Sequence, residues 1–238
     1  FLPLSEVPEE YNVIQVAFAT PVSHDDMTLT FEIATGVNYS EAQFKADIAA
    51  IQAQGRKVLI SIGGANHPVE LHTTADRDAF ANSLIAIIER FGFNGFDIDF
   101  EGSSVILDAG DLDFAQPTTP KIINLITAVN TVLDHFAARD LWLTLAPETQ
   151  YVQGGFGNYG GAFGGYLPVI HGLRNRITFV HTQLYNTGSQ FGIDNNIYEQ
   201  STKDFIVAMN EALLAGFPVG RDSSKVFPPL RQDQVAFG

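Results

Sequence analysis

Residues Phe93–Glu101 have the sequence FNGFDIDFE, which sets three carboxylates at alternate positions. Side chains of a β-strand alternate between its two faces, so Asp97, Asp99 and Glu101 point one way, and the isoleucine and phenylalanine between them point the other. Helices packed on a parallel sheet would bury the Ile/Phe face, and the acidic face would then point into a barrel or a cleft. The segment therefore predicts a strand with one functional face.

Crowding of these carboxylates has a chemical consequence. Three carboxylates on an inner face repel one another and lose hydration, which no fold needs for stability. The proton affinity of at least one of them should therefore rise, and an acid that stays protonated near neutral pH is what general-acid cleavage of a glycosidic bond requires. The alternative is the solvated face of an edge strand, but Phe93 and Phe96 just upstream are atypical of an edge.

The rest of the chain alternates β-rich apolar runs with segments of helical spacing. The predicted strands are Asn12–Ala19, Lys57–Gly64, Phe93–Glu101, Leu141–Glu148, Ile177–Asn186 and Gln234–Phe237. The predicted helices are Ser40–Gln54, Ala75–Phe91, Pro120–Leu133 and Ser201–Ala215. This order predicts an α/β protein with a mostly parallel sheet, either a (β/α)8 barrel or a doubly wound open sheet. No linker or repeat marks a boundary, so we expect residues 1–238 to form a single domain.

Composition excludes several classes of function. The 238 residues include 27 acidic and 13 basic side chains, a net charge of −14 that argues against nucleic acid or an anionic membrane as partner. The sequence contains no run of 18 apolar residues, so no membrane span is predicted. The opening FLPLSEVPEE lacks the pattern of a signal peptide. The sequence has no cysteine, which excludes disulfides, thiolate nucleophiles and zinc fingers.

Four motifs resemble those of the family 18 glycoside hydrolases, the chitinases, and occur in the family's order. FNGFDIDFE resembles the family's DGxDxDxE signature, KVLISIGG its SxGG strand, LAPE its MAPE strand, and QLYN the strand that bears its catalytic tyrosine. The resemblance implies a (β/α)8 barrel with the acid at the end of the fourth strand. It also implies retaining hydrolysis of β-1,4-linked N-acetylglucosamine polymers, with the substrate's own acetamido group as nucleophile.

The same resemblance implies roles for four residues. Glu101 would be the acid/base that protonates the leaving oxygen and later activates water. Asp99 would hydrogen-bond the acetamido nitrogen and stabilise the oxazolinium-like intermediate, and Asp97 would share a proton with Asp99. Tyr185 would donate a hydrogen bond to the acetamido carbonyl oxygen.

Further residues are expected to contact the substrate: Gln183, Asn186, Glu148, Ser61, Gly64 and Phe156. Gln183 lies two residues before Tyr185 in the same strand, so it should point to the same side, and Ser61 should also face inward. Gln183 and Ser61 could instead be polar residues that only fill a barrel interior. Glu148 ends its strand at the functional rim, where a structural salt bridge is the alternative. Phe156 belongs to a glycine-rich tract, residues 154–166, which we expect to be a loop whose aromatic rings either stack on sugars or tuck inward.

Two departures from the family pattern are visible. Asn94 replaces the first Asp of the signature, and activity should survive because it is the position farthest from the acid. The family's first strand and its last strand, which ends in a stacking Trp, have no counterpart here. We therefore expect an α/β (β/α)8 barrel that lacks its first and last strands in this chain, and a catalytic domain that is incomplete at both ends.

These observations favour a secreted, monomeric chitinase that acts on chitin or chitooligosaccharides. No cofactor or metal is expected, since His67 and His72 lie five residues apart, the wrong spacing for zinc ligands on one helical face. Two alternatives remain open. One is a chitin-binding lectin on the same barrel, which retention of the acid disfavours, and the other is an endo-β-N-acetylglucosaminidase acting on N-glycans.

Overall fold

The structure is a computed structural model that describes residues 2–34, 36 and 38–238. Its strands are β1 (Val13–Ser23), β2 (Asp26–Thr30), β3 (Lys57–Gly63), β4 (Gly95–Asp99), β5 (Trp142–Leu145), β6 (Phe179–Thr182), β7 (Gln190–Phe191), β8 (Ile197–Tyr198), β9 (Phe217–Pro218), β10 (Val226–Phe227) and β11 (Val235–Phe237). Its α-helices are α1 (Glu41–Ala53), α2 (Thr74–Phe91), α3 (Pro120–His135), α4 (Gly154–Gly157), α5 (Leu167–Leu173) and α6 (Lys203–Ala215).

Seven of these strands form one sheet in the order β11–β6–β5–β4–β3–β1–β2. Every neighbouring pair is parallel except β1 and β2, which form an antiparallel hairpin. The predicted α/β fold with a mostly parallel sheet is confirmed, and β4 lies at its centre rather than at an edge. Within the described residues the sheet is open, with β11 at one edge and β2 at the other. No helix in this part of the chain is long and apolar enough to cross a membrane.

All six predicted strands and all four predicted helices are present, but the hairpin strand β2, the two-residue strands β7 to β10 and the short helices α4 and α5 were not predicted. The strand β2 has only two apolar residues, Met27 and Leu29, too few for a clear alternation. The glycine-rich tract, expected to be a loop, contains the one-turn helix α4, and α5 begins directly after it. Both helices are too short for helical periodicity to be detected in the sequence.

Local side-chain chemistry explains where the long helices begin and end. The Ser40 hydroxyl accepts a hydrogen bond from a backbone N–H of the first turn of α1. Thr73 and Asp76 form a capping box at the start of α2, and this helix ends at Gly92 in the left-handed conformation, with φ of 77°. Pro120 occupies the first turn of α3, where its missing N–H costs no hydrogen bond.

The two faces of β4 have different environments. Ile98 is fully buried and Phe100, just beyond the strand, is 1% exposed, with its ring 6.1 Å from that of Phe80 in α2. On the opposite face, Ser61 of β3 and Thr144 of β5 are in direct register with Asp97. The predicted division into an apolar face against helices and an acidic face is therefore present.

A cluster of phenylalanines packs α1 and α2 beneath the start of β4. The Phe44 ring lies 5.7 Å from Phe31, 5.6 Å from Phe91 and 6.2 Å from Phe93, in tilted or edge-to-face geometry. Phe44 is 4% exposed. These contacts hold the two helices against the strand that carries the carboxylates.

We expect Phe44→Ala to lower the free energy of unfolding by about 3–5 kcal/mol, because it removes a buried ring and leaves a cavity among its neighbours. Urea denaturation measures the change. Phe237→Ala is the matched control, since this ring is 66% exposed and its loss should cost well under half as much. Equal effects of the two substitutions would contradict the assignment of Phe44 to the core.

Candidate active site

Asp97 is a buried carboxylate surrounded by donors from the neighbouring strands. Its side chain is 2% exposed. The Ser61 hydroxyl donates to Oδ2 over 2.8 Å, and the Thr144 hydroxyl donates to Oδ1 over 2.6 Å. His181 Nε2 lies 2.9 Å from the same Oδ1. The carboxylate thereby joins β3, β4, β5 and β6 across the polar face of the sheet.

This polar layer extends to β1 through Gln15. Its amide nitrogen lies 3.1 Å from Thr144 Oγ1 and 2.9 Å from His181 Nε2. Sequence reasoning missed all three of these residues. The position of His181 could have been predicted, because it alternates along the strand with Gln183 and Tyr185, which were expected to face inward.

Asp99 and Glu101 follow Asp97 toward the carboxyl end of β4 and meet at Gln183. The Gln183 amide nitrogen lies 2.9 Å from Asp99 Oδ1 and 3.3 Å from Glu101 Oε1, and it also lies 3.0 Å from the carbonyl oxygen of Ala146. Gln183 is 7% exposed, so this amide bridges the two carboxyl groups in a largely dry environment.

Burial raises the pKa of the Asp99 carboxyl to about 7. The negative charges of Glu101 and Asp97 act in the same direction, as does hydrogen bonding with Glu101, while His181 opposes them. A protonated carboxyl beside a second carboxyl is the outcome that the crowded sequence motif predicts. Asp99 can therefore hold and donate a proton near neutral pH.

Glu101 lies just beyond the end of β4, in an extended conformation that continues the alternation of the strand. The Tyr166 hydroxyl accepts a hydrogen bond from the backbone N–H of Phe100 over 2.9 Å and lies 3.0 Å from its carbonyl oxygen, to which it can donate. On the other side of Glu101, the Tyr151 hydroxyl donates to the carbonyl oxygen of Gly102 over 3.0 Å. Two phenols thus fix the backbone on either side of Glu101.

Glu148 and Tyr185 lie at the same rim, beyond the ends of β5 and β6. Glu148 pairs with Gln183 through an isolated parallel bridge, and burial raises the pKa of its carboxyl. Tyr185 is 50% exposed, and burial together with the nearby acidic charges raises the pKa of its hydroxyl. Asn186 is exposed and has a left-handed backbone, with φ of 53°.

A cavity of about 280 Å³ opens over this group. Of the expected site residues, it is lined by Ser61, Asp97, Asp99, Gln183 and Tyr185. Residues that sequence reasoning missed also line it, namely Gln15, Ala17, Phe18, Ala146, His181 and Gly238. The structure therefore brings five of the ten expected residues to one cavity, and Glu101 and Glu148 lie beside it.

Phe156 and Gly64 are two of the expected contact residues that do not line this cavity. Phe156 is 3% exposed in α4, with its ring 6.4 Å from that of Phe217, so it packs in the core and is not available to stack on a sugar. Gly64 donates its backbone N–H to the carbonyl oxygen of Asp99 over 2.8 Å. A side chain on Gly64 would meet the Phe18 ring at 3.0 Å, so the glycine permits a close approach between these elements.

The described residues contain no group of three or more His, Asp or Glu side chains arranged to hold a metal ion. The acids of the site are instead engaged with hydroxyl, amide and imidazole groups. What the arrangement offers is proton transfer between closely spaced carboxyl groups at the open end of a sheet.

The chain is similar to proteins of one family over nearly its whole length. The sequence profile described as "Glycosyl hydrolases family 18" matches residues 4–226. The chain is 55% identical over 235 residues to Chitinase Chi52 of Paenibacillus xylanexedens, covering 99% of this chain and 44% of that protein. It is 54% identical over 238 residues to Chitinase D of Niallia circulans, covering 100% of this chain and 45% of the relative. The chain thus spans about half the length of these curated relatives.

A solved structure is similar over the same extent. The crystal structure of a family GH18 chitinase from Chromobacterium violaceum matches with a TM-score of 0.89 and 38% sequence identity. The match covers 100% of this chain and 60% of that one.

The raised pKa of Asp99 predicts a specific dependence of stability on pH. Because the folded value of about 7 exceeds the ordinary value of 3.8, the native state keeps a proton that the unfolded chain releases. This contribution to stability is fully present below about pH 4 and is lost as pH rises through 7. We therefore expect Asp99→Asn, which cannot ionise, to gain stability relative to the wild type between pH 4 and pH 8.

Urea denaturation across this pH range measures the difference between the two proteins. Asp140→Asn is the control, because it removes a carboxyl group that is exposed, outside the site and without an ion-pair partner among the described residues. Parallel profiles for the wild type and Asp99→Asn would contradict the environment assigned to Asp99.

Proposed function

Because the chain belongs to glycosyl hydrolases family 18, we propose that it is a chitinase that cleaves β-1,4 linkages between N-acetylglucosamine units of chitin or chitooligosaccharides. The observation that carries the proposal is Asp99, a carboxyl buried beside Glu101 with its pKa raised to about 7. A pKa near 7 lets Asp99 hold a proton beside Glu101 at neutral pH, which supports general-acid catalysis by this pair.

In the proposed reaction, Glu101 gives its proton to the glycosidic oxygen as the bond to C1 breaks. The acetamido carbonyl oxygen of the same sugar then forms the new bond to C1 and gives an oxazolinium-like intermediate. In the second step Glu101 takes a proton from water, whose oxygen attacks C1 from the vacated side while the bond between C1 and the acetamido oxygen breaks and the acetamido group is regenerated. Two displacements at C1 retain its configuration. The half-buried position of Glu101 at the strand end supports this role.

Asp99 would orient the acetamido group through its N–H and, once its proton is shared with Asp97, stabilise the positive charge that develops on the intermediate. Its contact with Gln183 and its closeness to Glu101 support this role. Asp97 would act one step deeper, because its charge helps to keep the proton on Asp99. We also propose that Asp97 and Asp99 share one proton.

The remaining rim residues would bind the sugar. Tyr185 would donate its hydroxyl hydrogen to the acetamido carbonyl oxygen, and its partly exposed ring in the cavity supports this. Gln183 would hold both acids in place. Asn186 and Glu148 are proposed to contact hydroxyl groups at the mouth of the site, and Ser61 acts through Asp97.

We further propose that the sheet is part of a (β/α)8 barrel, that residues 1–238 belong to one catalytic domain, and that the enzyme is a secreted monomer. The parallel order of the six predicted strands and the similarity to a GH18 chitinase structure support the barrel. The proximity of Asp99, Glu101 and Gln183 argues against a lectin on the same fold, because a protein that only binds sugar does not need these groups close together.

We expect Glu101→Gln to reduce turnover by about 10²–10⁴-fold while sugar binding is largely kept, because the amide has the same shape but cannot donate the proton. Release of chromophore from chitobiose and chitotriose glycosides measures turnover, and calorimetry with the oligosaccharide measures binding. Glu211→Gln, at an exposed position of α6, is the control. Turnover within tenfold of the wild type would contradict the assignment, and a wild type that binds without hydrolysis would indicate a lectin.

Asp99→Ala should reduce turnover by about 10²-fold or more and shift the acid limb of the pH profile, because it removes a charge-stabilising group beside the acid. Tyr185→Phe should have a smaller effect, since only one hydrogen bond is lost. Tyr11→Phe, at a site 60% exposed and outside the cavity, is the control. An unchanged rate and pH profile in Asp99→Ala would remove the main support for a substrate-assisted mechanism.

A further inference from the structure

A second cavity, of about 360 Å³, lies at the same end of the sheet as the candidate active site. Its walls are the segment after β5, residues 150–163, and the segment after β6, residues 187–191. We propose that it binds a further N-acetylhexosamine unit of the polymer, beyond the units held at the carboxylates. This inference rests on the proposed function.

The chain connects this cavity directly to the site. Gln150 in its wall is two residues from Glu148, and Thr187 is two residues from Tyr185. Two residues of extended chain span at most about 7 Å, so the walls begin next to the rim of the first cavity. The segment after β6 is held in place because the Gln200 side chain accepts hydrogen bonds from the backbone N–H groups of Thr187 and Gly188.

The chemistry of the walls suits a neutral sugar. Among the described residues that line the cavity, none is acidic or basic, although the chain as a whole has a net charge of −14. Amide groups come from Gln150, Asn158 and Gln190, and the ring of Phe163 is 37% exposed. Amides can pair with the hydroxyl and acetamido groups of a sugar, and an exposed ring can pack on its apolar face.

Gln153, which lines the cavity, is held in a fixed orientation. Gln153 is 1% exposed, and its Nε2 donates to Thr182 Oγ1 and to the carbonyl oxygen of Met209, each over 3.2 Å. These two bonds fix the amide, because a flipped orientation would set two carbonyl oxygens against each other. Gln153 Oε1 has no hydrogen-bond partner among the described residues. Because this oxygen is itself enclosed, the contribution of Gln153 to the cavity is a rigid wall rather than an acceptor for the occupant.

A substitution of Gly154 by a larger residue can fill the cavity. A Cβ atom placed on it would lie 3.5 Å from Gln190 Oε1, 3.5 Å from the Phe163 ring and 3.6 Å from the Gln150 side chain, all of which line the cavity. These are ordinary van der Waals distances, and Gly154 lies in a helical turn without a positive φ. A larger residue would therefore project into the cavity without straining the backbone.

The test compares short and long substrates in Gly154→Val and Phe163→Ala. We expect kcat/KM on chitohexaose to fall about three- to tenfold in both variants, while hydrolysis of a chromogenic chitobiose glycoside stays within twofold of the wild type. Gly154→Ala should give an intermediate effect. Tyr11→Ala, which truncates an exposed ring outside both cavities, should change neither substrate. Thermal unfolding of each variant checks that the fold is intact, and Phe163→Ala serves alone if Gly154→Val does not fold.

Unchanged kinetics on both substrates would overturn the inference, and so would equal losses on both. Failure of the wild type to hydrolyse either substrate would instead contradict the proposed function. In that case calorimetry with chitohexaose decides the inference, because a blocked subsite lowers affinity in Gly154→Val and an unrelated cavity leaves it unchanged.

Discussion

The carboxylate of Asp97 is 2% exposed, and its polar contacts come from three neighbouring strands, through Ser61, Thr144 and His181. A charge buried at this depth costs several kcal/mol unless donors surround it, so these contacts are a strong constraint on the sheet. They require β3, β4 and β5 to pair in the observed register, because a shift by one residue would turn each hydroxyl to the helical face. The polar layer thus couples strand alignment to the geometry of the site.

Beyond this anchor, Asp99 and Glu101 are both more accessible than Asp97. Asp97 is enclosed by donors, Asp99 is less buried and receives an N–H from Gln183, and Glu101 is half-buried beyond the strand. One strand therefore offers an enclosed carboxyl group, a carboxyl group whose pKa is raised to about 7, and a carboxyl group beyond the end of the strand. The differences arise from depth along the strand rather than from residue type, since all three are carboxylic acids.

Local rules explain what could be predicted from the sequence. The alternation of side chains along a strand predicted that Asp97 and Asp99 share a face. The same alternation predicted that Gln183 points inward with Tyr185. Tyr166 shows where such rules end, because its hydroxyl meets the backbone of Phe100 across 66 positions of the chain and no local pattern encodes that contact. Phe156 shows the same limit, since the direction of an aromatic side chain in a glycine-rich segment depends on tertiary packing.

The glycine-rich tract has the composition of a flexible linker, yet its glycines meet other parts of the fold at close range. A Cβ on Gly165 would lie 2.2 Å from the carbonyl oxygen of Val105, and one on Gly155 would lie 3.0 Å from the Cα of Gly164. The tract ends at Tyr166, whose hydroxyl supports the backbone beside Glu101. Low complexity here therefore does not mean tolerance of insertions. Loop exchange aimed at altering specificity belongs in residues 187–191, because insertions within 154–166 would displace that hydroxyl, and changes within the tract should be confined to side chains that face the second cavity.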